Sequence, residues 1–129
     1  MRIRNLLVAS TIAVAASLAS SAAFADVCIG NCGTSGADGV VTLSPSGHSV
    51  YQWISTYNGV GGAGQIAGIG GTDGSQLSTS VFAANAADPL NFYFNYVTSD
   101  GAGYADYAWA ELRTDADAHV AWLFTGRTQ

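Results

Sequence analysis

The sequence predicts an all-β fold, an antiparallel β-sandwich, on three observations. Short runs rich in β-branched and aromatic residues recur along the chain. Clusters of Gly, Asp, Ser and Pro separate them. No stretch holds a 3.6-residue apolar period between helix caps. Together these describe strands joined by tight turns, with no helical layer.

Residues 1–25 are expected to be a signal peptide. Arg2 and Arg4 give a basic start, residues 6–18 are uncharged and apolar, and Ala23-Phe24-Ala25 is an A-x-A processing site before Asp26. The apolar run is too short and too rich in Ala and Ser for a membrane span, which needs about 20 strongly apolar residues. Residues 26–129 then suffice for a single domain with one core. Cys28 and Cys32 fall at its start, and in an oxidising compartment a disulfide is the expected state for so close a pair. A redox pair would ordinarily be C-x-x-C, and a zinc site would need ligands that only His48 and His119 can offer.

Candidate strands follow at 40–43, 50–56, 77–84, 90–98, 104–113 and 119–125. Residues 58–74 are too rich in Gly for a regular strand and are expected to form a loop or an irregular edge. The steps Asp38-Gly39, Asp73-Gly74 and Asp100-Gly101 are turn chemistry. Residues 90–125 read as a three-strand meander turning at 100–102 and 115–118. Parity along those strands sorts the side chains. One face carries Phe92, Phe94 and Tyr96 against Ala108, Ala110, Leu112, Ala121 and Leu123. The other carries Tyr93, Tyr107, Trp109, Glu111, Trp122 and Phe124, with Asn91 and Asn95.

Charge narrows the partners. All nine acidic residues lie after position 25, where only Arg113 and Arg127 oppose them, and the chain has no lysine. Such a surface repels nucleic acid and anionic membranes, and leaves hard cations and neutral glycans.

No constellation points to catalysis, and the expectation is that the chain is not an enzyme. Gly59-Val60-Gly61-Gly62-Ala63-Gly64 matches G-x-G-x-x-G in letters, but no helix follows to receive a pyrophosphate. There is no G-x-S-x-G elbow for a serine nucleophile. Glu111 is the single glutamate, and Asp106, five positions away, falls on the opposite face of a regular strand, so no carboxyl pair for glycoside hydrolysis is evident.

Two binding sites are suggested instead. Asp100 in its turn and Asp106 beyond it could hold calcium, with carbonyls of the Gly-rich turn completing the oxygen shell. The plainer reading is that Asp favours turns, as at Asp115 and Asp117. Tyr93, Tyr107, Trp109 and Trp122 form the second, a set of flat rings among amides and a carboxylate suited to stacking on sugars. Against it stands the tendency of large aromatic rings to pack beneath other parts of a fold.

Three segments resemble an uncharacterised family of exported bacterial proteins of the PEP-CTERM type. They are Cys28-Ile29-Gly30-Asn31-Cys32-Gly33, Asp38-Gly39-Val40-Val41-Thr42-Leu43-Ser44-Pro45 and, most specifically, residues 95–110, Asn-Tyr-Val-Thr-Ser-Asp-Gly-Ala-Gly-Tyr-Ala-Asp-Tyr-Ala-Trp-Ala. The resemblance implies a jelly-roll-like sandwich without assigned catalytic residues, from Gram-negative bacteria that make exopolysaccharide and biofilm. This chain closes with Thr125-Gly126-Arg127-Thr128-Gln129 and lacks the Pro-Glu-Pro sorting signal. The sandwich is therefore expected to be incomplete at its C-terminal side, or the chain to be a fragment. The resulting expectation is a secreted structural or adhesive module of the extracellular matrix or cell surface, with polysaccharide as partner. The alternative is the N-terminal fragment of a secreted hydrolase.

Overall fold

The structure, a computed structural model, describes residues 26–99, 103–104 and 106–128. The expected signal peptide at 1–25 and Asp100 lie outside the described residues. Within them the chain is all-β and antiparallel, with eight strands and no helix. No helix long and apolar enough to cross a membrane occurs among the described residues.

The strands pair two by two. β1 (Val27–Ile29) pairs with β6 (Gln76–Ser78), β2 (Asn31–Ser35) with β3 (Tyr51–Ser55), β4 (Val60–Gly61) with β5 (Asp73–Gly74), and β7 (Tyr107–Arg113) with β8 (His119–Arg127). The cysteine segment, for which no strand was expected, supplies both β1 and β2. Gly30 makes the corner between them at φ +90°, and a Cβ there would collide with the Ser75 hydroxyl and the Gly74 carbonyl. Cys28 and Cys32 close a disulfide across that corner, their Cα atoms 6.1 Å apart. A loop this short restricts the unfolded chain by only about 2 kcal/mol.

Three expected strands are altered, each for a local reason. Residues 40–43 join no ladder, because the Asp38 carboxylate accepts the N–H groups of Val40 and Val41 at 2.9 and 2.8 Å and winds the segment into a turn. The strand expected at 77–84 ends at Ser78, and two residues on the Ser80 N–H goes to the Asp26 carboxylate at 2.9 Å. Residues 90–98 form no strand, so the meander reduces to the β7–β8 hairpin. They meet the hairpin through rings instead, with the Phe94 ring tilted at 31° against that of Phe124, centroids 3.9 Å apart, and Tyr96 6.2 Å from it. The step Asp73-Gly74, expected as a turn, is instead β5 and clasps the Gly-rich segment against Val60 and Gly61.

The hairpin follows the expected parity except at one residue. Ala108, Ala110 and Leu112 pair with Gly126, Phe124 and Ala121, while Glu111 pairs with Trp122. A bulge at Leu123 carries Phe124 from the Trp109 face to the Ala110 face, where it meets Phe94. The turn at 114–118 is closed by Thr114 N–H donating to the Ala118 carbonyl at 2.8 Å, with Asp117 at φ +64°.

No apolar residue among those described is buried. Apolar groups meet in local contacts, such as Trp53 lying so close over its strand partner Gly33 that a Cβ would stand 2.6 Å from the indole. Two-stranded ladders are marginal alone, so polar bridges between them carry unusual weight. The chief one is Ser75, between β5 and β6. Its hydroxyl accepts the Asn31 N–H at 2.7 Å and donates to the Ser55 carbonyl at 2.6 Å. Ser75→Ala leaves both groups unpaired in a half-buried setting and is expected to lower stability by about 1–3 kcal/mol, measured by chemical denaturation.

Candidate aromatic binding face

The site is built on the face of β7 that alternation assigns to Tyr107, Trp109 and Glu111, with Trp122 supplied by β8 opposite Glu111. Tyr107 and Trp109 are half-buried and hold the Gly-rich segment. The Trp109 indole N–H donates to the Gly64 carbonyl at 2.7 Å, and the Ile66 N–H donates to the Tyr107 hydroxyl at 3.3 Å. The segment is braced internally by the Gln65 side-chain amide, which donates to the Gly71 carbonyl at 2.5 Å. Trp122 meets Trp109 edge to face, with centroids 5.7 Å apart and planes at 87°, and is itself 49% exposed.

A charged cluster frames Trp122. The His119 ring lies 4.8 Å from the Trp122 ring, and its Nδ1 lies 2.6 Å from Glu111 Oε2. Arg113 Nε donates to the other Glu111 oxygen at 2.6 Å, and Arg113 Nη1 to Asp117 Oδ1 at 2.9 Å. The Glu111 side chain is only 6% exposed, against 40% for Arg113 and 43% for His119. Burial pushes its carboxyl upward, but the His119 and Arg113 hydrogen bonds and charges outweigh this and hold it below its ordinary value. Both carboxylate oxygens are occupied, so Glu111 orders the cluster. Arg113 is raised, by its hydrogen bonds to Asp117 and Glu111 first.

Three of the four expected aromatic residues thus share one face. Tyr93 is 53% exposed on the strandless segment 90–98 and has no ring contact with the other three. Of the calcium pair, Asp100 lies outside the described residues. Asp106 accepts the Thr56 hydroxyl at 3.5 Å, while its backbone carbonyl accepts the Thr128 N–H at 3.0 Å. Among the described residues no three His, Cys, Asp or Glu side chains group as metal ligands would. His119 was expected only as a strand end. Its place beside Trp122 depends on the bulges of β8, for which the sequence carries no signal. The acceptor on Gly64 was more accessible to inference, since a half-buried indole N–H calls for a carbonyl and residues 59–64 are rich in uncommitted backbone.

No family model, no curated protein and no solved structure matches the chain.

The Glu111 cluster has a pH signature. A carboxyl held below its ordinary value of 4.5 in the folded chain stabilises fully above that pH, and the contribution is lost as pH falls through the lower folded value. Thermal melts are expected to decline below pH about 4.5. Glu111→Gln is expected to flatten that acid limb while lowering the melting temperature at neutral pH.

Proposed function

We propose that this chain is a non-catalytic β-sandwich module acting outside the cell, in an extracellular matrix or at the cell surface, and that it binds neutral glycan chains on its Trp109–Trp122 face. The observation that carries this reading is the half-exposed Trp122, set against Trp109 and bordered by the His119 imidazole. A flat ring offers stacking to the C–H face of a sugar, and the neighbouring polar groups offer hydrogen bonds to hydroxyls. The acidic balance of residues 26–129 disfavours anionic polymers and leaves uncharged ones.

The jelly-roll-like arrangement belongs to the same proposal. An open cleft of about 2970 Å³ has Trp53, Ile54, Leu77, Phe92, Phe94 and Ala110 among its lining residues. On this reading it is the space between two sandwich layers. Export rests on the leader-like residues 1–25, and the extracellular role on the resemblance to PEP-CTERM-type proteins.

Titration with neutral oligosaccharides, followed by tryptophan emission, tests the binding. Trp122→Ala is expected to keep the fold and to weaken binding by about tenfold, the equivalent of ~1.4 kcal/mol. Absence of saturable binding, or binding indifferent to Trp122→Ala, would overturn the reading.

A further inference from the structure

We propose that Asn58-Gly59 is a site of spontaneous covalent modification. The Asn58 amide is lost without an enzyme, chiefly to isoaspartate, and the lengthened main chain unlatches β4 from β5. Nothing in this depends on the glycan reading. Asn58 lies in the tight turn after β3, where the Gly59 N–H donates to the Thr56 carbonyl at 3.0 Å. It holds φ at +56°, the left-handed region that residues with a side chain seldom adopt. The residue is exposed, and Tyr57 before it is 75% exposed.

Five asparagines lie between positions 26 and 129, and their surroundings separate them. The Asn31 amide donates to the Tyr57 carbonyl at 2.8 Å, and the Asn85 amide to the Asp88 carboxylate at 3.2 Å. Asn91 and Asn95 are followed by Phe92 and Tyr96, whose bulk hinders the main-chain nitrogen. Among the described residues none holds the Asn58 side chain by a hydrogen bond. The residue after it is Gly59, which has no side chain to shield its nitrogen.

The chemistry needs only water. Once the turn hydrogen bond opens, the Gly59 main-chain nitrogen attacks the side-chain carbonyl carbon of Asn58. A C–N bond forms there, the bond to the amide nitrogen breaks, and that nitrogen leaves as ammonia with the proton from Gly59. The product is a five-membered succinimide. Water then opens it on the side-chain side, giving aspartate, or on the main-chain side, giving isoaspartate, and the second opening is favoured. Either product adds a negative charge, and isoaspartate also inserts one carbon into the main chain.

The fold has no room for that carbon. Gly59 lies so close to β5 that even a Cβ there would stand 2.5 Å from the Gly74 carbonyl, and the next residue, Val60, is the ladder partner of Gly74. Displacing Gly59 therefore pulls β4 off β5, and with it the Gly62 N–H bond to the Thr72 carbonyl.

Incubation of the folded chain in mildly alkaline buffer, with peptide mapping by mass spectrometry, tests the site. The mass gain of an amide-to-acid exchange is expected at Asn58 before any of the other four, with isoaspartate in excess over aspartate. In the converted fraction the Gly62 N–H is expected to lose its protection from hydrogen exchange. Asn58→Gly, which suits the positive φ, is expected to keep that protection throughout the same incubation. Asn58 unchanged while another asparagine converts, or conversion to isoaspartate with the Gly62 N–H still protected, overturns the proposal. Loss of protection in Asn58→Gly at the same rate overturns it as well.

Discussion

One hydroxyl group, that of Ser75, ties the β2–β3 ribbon to the junction between the β4–β5 and β1–β6 ribbons. It sits between β5 and β6, takes the first N–H of β2 and gives its proton to the last carbonyl of β3. β1–β6, β2–β3 and β4–β5 are each too short to persist alone in water. With no apolar residue buried among those described, the hydrophobic effect that ordinarily holds layers together contributes little here. A half-buried hydrogen bond that must be made or left unsatisfied becomes correspondingly important. The Cys28–Cys32 disulfide and Gly30 keep the corner beside Ser75 tight enough for these bonds to form.

The hairpin is attached by a different device. Tyr107 and Trp109 use their polar atoms to capture the backbone of the Gly-rich segment, one through its hydroxyl and the other through its indole N–H. A glycine-rich backbone has no side chains to bury and is therefore fixed by its own N–H and C=O groups. This divides the aromatic residues by task. Two are committed to structure, and Trp122, one strand away and half-exposed, is left to face outward beside the Glu111–His119–Arg113 cluster.

Much of this was legible in the residues. Antiparallel β-structure followed from composition and turn signals, and the hairpin of residues 107–127 from alternation. The Asp38 turn followed from the habit of Asp to bond backbone N–H groups two and three residues on. Paired cysteines four residues apart foretold their disulfide. What escaped was set by competition for hydrogen bonds. Residues 40–43 have strand composition, yet Asp38 takes their donors. Residues 90–98 have it too, yet they engage the hairpin through the ring contact of Phe94 with Phe124. Parity placed Trp109, Glu111 and Trp122 together correctly and misplaced Phe124, because a bulge at Leu123 shifts the count by one. His119 joined the site through a second bulge, at Val120, and neither bulge leaves a mark in the pattern of apolar and polar residues.

Two polar bridges, at Ser75 and at Trp109, hold the ribbons and the hairpin in one arrangement. Amide hydrogen exchange followed by nuclear magnetic resonance tests it most directly, at the Asn31 N–H and the Trp109 indole N–H. Both are predicted to exchange far more slowly than exposed N–H groups of the same strands, such as that of Gln52 on β3. Exchange of either at the rate of an unprotected group would contradict the account.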